Sequence, residues 1–250
     1  MYLNKETTLG DIVAENYKTA AVFENHQMDF CCHGGRSLAE ACAEQELSVD
    51  TIIKELQTAL TAGDTETADT NSAGMPQGIK QWPLDLMADY VEKKHHRFVS
   101  EQIPIIEGYL QKIVQVHGGQ HPELEKVQNL FKETAGELSM HMKKEELMLF
   151  PYIRKMTQAA VSGRKIEKPG FGSIANPINA MLADHEAEGE RSAGIRNLTN
   201  NFQTPADGCN TYQLTLKLLA DFEADLHQHI HIENNILFPK SIELEKTIQG

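Results

Sequence analysis

The sequence predicts an all-α protein, with a small helical N-terminal domain followed by an up-down-up-down four-helix bundle. Three observations predict it. Four long stretches beyond residue 80 carry apolar residues at helical spacing. No alternating Val/Ile/Thr run of strand type interrupts them. An eleven-residue motif then recurs on the second and fourth stretches.

Taken in order, residues 7 to 60 show short helical patterns broken at Cys31-Cys32-His33-Gly34-Gly35, enough for only a modest core. Residues 61 to 79, TAGDTETADTNSAGMPQGI, are rich in Thr, Ala, Gly and Asp and nearly lack large apolar groups. That is the composition of a flexible linker, so the expected organisation is a domain over 1–60, a linker over 61–79 and the bundle over 80–250. The first bundle helix is expected over roughly 83 to 117. Pro104 should bend it rather than end it, because Ile105, Ile106, Tyr109, Leu110 and Ile113 continue the apolar spacing. The break from His117 to Pro122 suits a tight antiparallel connection into a second helix over about 121 to 158. A third over about 174 to 201 and a fourth over about 207 to 246 follow across further Gly/Pro-containing breaks.

Composition excludes several classes of function. A formal charge of -13, with no sizeable Lys/Arg cluster, repels phosphate backbones, so nucleic acid is not an expected partner. No stretch of eighteen apolar residues occurs, and the opening MYLNKETTLGDIV lacks the basic-then-apolar order of a signal peptide. No membrane association and a cytoplasmic location are therefore expected. In a chain of 250 residues, Cys31, Cys32, Cys42 and Cys209 are expected as thiols rather than as a disulfide framework. What stands out is eleven histidines.

The recurring motif is His141-Met-Lys-Lys-Glu145 with Leu149-Phe150-Pro151, against His229-Ile-His-Ile-Glu233 with Leu237-Phe238-Pro239. Residues four apart share one helix face, so each pair can aim an imidazole and a carboxylate at one point. Both motifs lie about twenty residues past the start of an even-numbered helix, and those helices run the same way. The two pairs therefore lie level. Counting back from the first turn brings His95 or His96 to the same layer, and counting into the third helix brings His185. Periodicity on its own favours His95. His117 lies ~30 Å from His96 along the axis and belongs to the bundle's end. His227 and His231 sit roughly 200° round the helix from His229, which points them to solvent.

A lone buried histidine is usually structural. Glu145 and Glu233 facing a core are costly unless paired or metal-bound, and their convergence with four imidazoles points to metal. Imidazole with carboxylate suits Fe, Mn or Zn, while a structural zinc needs only four ligands and often includes Cys. Six ligands imply two ions. Two bridging carboxylates and two imidazoles per ion describe a non-haem di-iron centre with open positions, richer in His than oxidase sites built from Glu-x-x-His and four carboxylates.

Over nearly its whole length the chain resembles the repair-of-iron-centres family, whose bundle is hemerythrin-like. The resemblance is carried by Thr8-Leu-Gly-Asp-Ile-Val-Ala, by Asp29-Phe-Cys-Cys-His-Gly-Gly35, by the two His-x-x-x-Glu motifs and by Val116-His117-Gly118. It implies that His96, 21 residues before that turn, is a ligand, with His141, Glu145, His185, His229 and Glu233. It further implies two iron ions, oxo- or hydroxo-bridged in the family manner, and iron-sulfur proteins as clients whose clusters nitric oxide or peroxide has damaged. Cys31 and Cys32 then have a thiol or iron-transfer role. Two other functions stay open: reductive coupling of nitric oxide to nitrous oxide at the irons, and reversible carriage or sensing of oxygen or nitric oxide. Whether two chains pair as a homodimer is equally open at this stage.

Overall fold

Local hydrogen bonding starts each N-terminal helix. The Asp11 N–H donates to Thr8 Oγ1 at 3.1 Å, capping α1 (Leu9–Glu15). Ser37 and Glu40 form a reciprocal capping box at the start of α3 (Leu38–Glu44). A tight turn at Tyr17–Thr19 leads into α2 (Ala20–Asn25), and α4 (Val49–Thr61) completes the set. Thr8 and Ser37 pair in an isolated antiparallel bridge, and no strand occurs among the described residues. The computed structural model describes residues 3–61, 75–76 and 78–249. The linker expected over 61–79 thus lies largely outside the described residues. Its far end does not, since Met75 and Ile79 are buried against the bundle.

Four helical rods follow. The first joins α5 (Leu84–Tyr90), a π-helical turn (Val91–His96) and α6 (Arg97–His117), which continues through Pro104. The second joins α7 (Glu123–Lys144), a π turn (Glu145–Leu149) and α8 (Phe150–Ser162). The third is α9 (Ala175–Leu198). The fourth joins α10 (Asn210–Ile232), a π turn (Glu233–Leu237) and α11 (Phe238–Gln249). α6 packs on α7 and α10, α7 on α9, and α8 on α5 and α11, so the predicted four-helix bundle is the observed architecture. No helix among the described residues is long and apolar enough to cross a membrane.

Two apolar clusters fill the molecule. One holds Met87, Val91, Phe150, Ile153, Ile178 and Phe238, toward one end of the bundle. The other holds Val99, Ile106, Phe131, Leu138, Leu219 and Leu226, and it is continuous with Leu9, Ile12, Phe23 and Leu38 of the N-terminal helices. His96, His141, Glu145, His185, His229 and Glu233 fall where one cluster gives way to the other, as a polar layer across the bundle.

The N-terminal helices dock on the π turn of the fourth rod. Asn235 Nδ2 donates to the carbonyls of Phe30 (3.1 Å) and Cys31 (3.3 Å), and Asn234 Nδ2 donates to Cys31 O (3.2 Å). The approach is close enough to require glycine. A Cβ on Gly34 would stand 2.7 Å from Asn235 Oδ1, and one on Gly10 would stand 2.6 Å from the same atom. This docking corrects the solvent-facing expectation for His231, which is fully buried against Phe30 and Tyr17. Burial pushes its pKa down to about 3, so it is a neutral packing residue. His227 is half-buried, with its ring 6.1 Å from that of Phe30. The helical angle was right, but another part of the chain covers that face.

Candidate metal centre

Each long rod but the third changes hydrogen-bond register at its candidate ligand. Phe150 N–H bonds back to Glu145 O, and Phe238 N–H bonds back to Glu233 O, five residues instead of four. Such π turns are costly and concentrate at functional sites. The repeated Leu-Phe-Pro lowers the cost, because Pro151 and Pro239 have no N–H to give to the carbonyl four residues back. Phe150 and Phe238, fully buried, then stack on His96 (centroids 5.5 Å apart) and His185 (6.0 Å). Sequence and backbone together hold the rings in place.

The six expected residues meet. Glu145 Oε2 lies 3.3 Å from His96 Nε2 and 3.4 Å from His141 Nε2. Glu233 lies 3.2 Å from both His185 Nε2 and His229 Nε2. Two four-residue sets result, His96/Glu145/His229/Glu233 and His141/Glu145/His185/Glu233, each with its ligand atoms within 4.8 Å of one another. Both carboxylates belong to both sets. All six side chains are essentially inaccessible to solvent.

Whether a cation fits is decided by what these groups lack. Other buried acids of the bundle are satisfied: Glu188 by Thr134 and Arg191, Glu223 by Ser192 and Arg196, Glu245 by Tyr152, Ser173 and the Ile174 N–H. By contrast, both oxygens of Glu145 and of Glu233, and the Nε2 atoms of His96 and His229, have no hydrogen-bond partner among the described residues. Leaving one buried polar group unpaired costs about 1–3 kcal/mol, and more for a charge. Cations between the carboxylates and the imidazole nitrogens would satisfy all of them, so the residues fit metal. The electrostatics agree. Burial pushes the Glu145 and Glu233 carboxyls up, yet the facing imidazoles win and hold both below the ordinary range. Burial pushes His141 down, but Glu145 and Glu233 raise it to about 9. The site is built around positive charge.

Outer partners orient the rings. His96 Nδ1 meets Glu146 Oε1 at 2.8 Å, His185 Nδ1 meets Asn234 Oδ1 at 2.7 Å, and His141 Nδ1 lies 3.3 Å from Asp184 Oδ2. Metal-binding histidines use their second nitrogen in this way, which fixes the tautomer. Sequence reasoning did not single out these three residues, although each is the immediate chain neighbour of a candidate ligand. His95, favoured by periodicity, is also fully buried, but it bonds Asp225 at 3.0 Å and stacks on His229 without joining either set. His117 lies at the bundle's end, with Nε2 3.2 Å from Cys209 Sγ. Cys31 and Cys32 are free thiols beside the centre, and Cys32 Sγ lies 3.4 Å from the His185 carbonyl oxygen. A cavity of ≈ 50 Å³, bordered by His141, Asp184, His185 and Glu188, adjoins the His141 side.

A four-helix bundle with a buried layer of shared His and Glu residues defines a hemerythrin-type cation-binding domain, and residues 87–241 match the hemerythrin HHE cation binding domain. Residues 5–60 match the ScdA N-terminal domain, a domain of unknown function. The chain is 30% identical to the iron-sulfur cluster repair protein YtfE of Musicola paradisiaca and 30% identical to YtfE of Yersinia pseudotuberculosis, in each case over 95% of this chain and 97% of the relative. It is 28% identical to the iron-sulfur cluster repair protein ScdA of Staphylococcus epidermidis, over 95% and 99%. The chain belongs to this ScdA/YtfE family of hemerythrin-domain proteins.

Proposed function

We propose that the protein repairs iron-sulfur clusters damaged under nitrosative or oxidative stress by donating iron from a two-ion centre held by His96, His141, Glu145, His185, His229 and Glu233. The single observation that carries the reading is the sharing of Glu145 and Glu233 by two ligand sets, with all four carboxylate oxygens otherwise unpartnered among the described residues. Two carboxylates common to two sets suit a bridged pair of ions. Bound there, iron supplies exchangeable ions with coordination positions left for small ligands such as nitric oxide or oxygen. The relatives are named for iron-sulfur cluster repair, which supports iron as the cargo and damaged iron-sulfur proteins as the clients.

The chain's own residues divide the work. Glu145 and Glu233 would provide the negative charge shared by two cations, while Glu146, Asp184 and Asn234 fix the orientation of three of the imidazoles. The test uses the full chain loaded anaerobically with ferrous iron. About two irons per chain are expected, with loss of iron in step with recovery of a damaged cluster enzyme. Glu145→Gln and Glu233→Gln are expected to abolish both loading and recovery. Nitrous oxide formation over many turnovers with no loss of iron would favour a catalyst over a donor. One tightly held zinc per chain would overturn the reading.

A further inference from the structure

A second constellation of metal-ligating groups lies outside the bundle layer. Asp29, Cys31 and Cys32 place a carboxylate oxygen and two sulfurs within 4.8 Å of one another. The arrangement is held by backbone: Asp29 Oδ1 accepts the N–H groups of both Cys31 and Cys32 at 2.9 Å, which turns the two side chains to the same side. Asp29 Oδ2 is in turn fixed by His33 Nδ1 at 2.6 Å. The sulfurs stand 3.8 Å apart and are not bonded to each other. Two metal–sulfur bonds of about 2.3 Å at a tetrahedral angle place their sulfurs about 3.8 Å apart. Asp29 Oδ1, 3.2 Å from Cys31 Sγ, offers the third ligand. On its open side the group faces a cavity of ≈ 400 Å³ between the N-terminal helices and α9, bordered also by His33, Glu186 and Gly189.

We propose that Asp29, Cys31 and Cys32 form a second metal site that takes one borderline-soft divalent cation, of the class of Fe(II), Co(II) or Zn(II), with its fourth position open to this cavity. Two thiolates beside one carboxylate favour such ions over Mg(II) or Ca(II), which prefer all-oxygen sets. Each cysteine that coordinates forms a metal–sulfur bond and gives its proton to solvent, two protons per ion, with no change in oxidation state. The seat is built for proximity. Cys32 Sγ touches the carbonyl oxygen of His185, and a Cβ on Gly189 would come within 3.4 Å of that sulfur. Its contact with the backbone of the bundle ligand His185 makes it the next station for iron leaving the centre, a role that rests on the donor reading above. The binding itself does not depend on that reading.

The experiment titrates the reduced full-length protein anaerobically with Co(II) and follows thiolate-to-cobalt charge-transfer absorption. One thiolate-bound cobalt per chain is expected. The band should persist in Glu145→Gln/Glu233→Gln, where the bundle set is broken, and in Cys209→Ser. It should vanish in Cys31→Ser/Cys32→Ser, and Cys32→Ser alone or Asp29→Asn should weaken binding at least tenfold, with helical circular dichroism unchanged. Absence of the band from the unmodified chain at saturating cobalt, or its survival in Cys31→Ser/Cys32→Ser, overturns the proposal. Failure of iron donation with the band intact would sink the donor reading alone.

Discussion

Glu146 and Asp184 show how much of the centre depends on residues that touch no cation. Each holds the Nδ1 side of a candidate ligand histidine. Glu146→Gln and Asp184→Asn are expected to weaken metal binding about 10–100-fold while leaving the fold intact, as measured by competition against a chelator. At the far end of the bundle, Cys209 is exposed, and its contact with His117 lowers its pKa to about 7. The reactive form is the thiolate, so its alkylation rate should climb through about pH 7 rather than near the ordinary cysteine value, and His117→Ala should move that midpoint upward. Mass spectrometry of alkylated peptides across pH checks this. The candidate ligands were readable in the sequence because four-residue spacing fixes a helix face whatever the tertiary context. The choice of His96 over His95 was not readable from spacing, because both stand in the π turn Val91–His96, where 3.6-residue counting slips. Resemblance to a family supplied what the period could not.

The π turns followed by Leu-Phe-Pro couple packing to coordination at the level of the element. Phe150 and Phe238 are wholly buried and lie flat on His96 and His185. Phe150→Ala is expected to cost about 3–5 kcal/mol in chemical denaturation through the cavity it leaves, and to loosen His96 as well. The four rod boundaries were readable to within a few residues, since apolar periodicity and Gly/Pro breaks are local signals. The register shifts were not. A π turn leaves the pattern of buried residues nearly unchanged and is marked only by the repeated proline, which sequence reasoning took as part of a motif without asking what it does to the hydrogen-bond ladder.

At the scale of the whole molecule, the N-terminal helices share a core with the bundle and are pinned through Asn234 and Asn235, next to Glu233. Gly34→Ala should push the two apart, because its Cβ would stand 2.7 Å from Asn235 Oδ1 of the bundle. Faster amide exchange over residues 9–42, with α9 and α10 still protected, is the expected signature. Sequence reading expected two parts with a linker between them but did not foresee their contact, because a docked face looks polar until its partner is known. His231 was misread for that reason.

The polar layer between the two apolar clusters has a last consequence. An ion bound only by the folded chain at ~100 times its dissociation constant adds about 2.7 kcal/mol of stability, and here it would also neutralise Glu145 and Glu233 at the seam between the clusters. A chain without its ions would thus be the weaker one, and would open more often at the seam. If iron is donated as proposed, the same seam would tie resistance to proteolysis to the load that the chain carries.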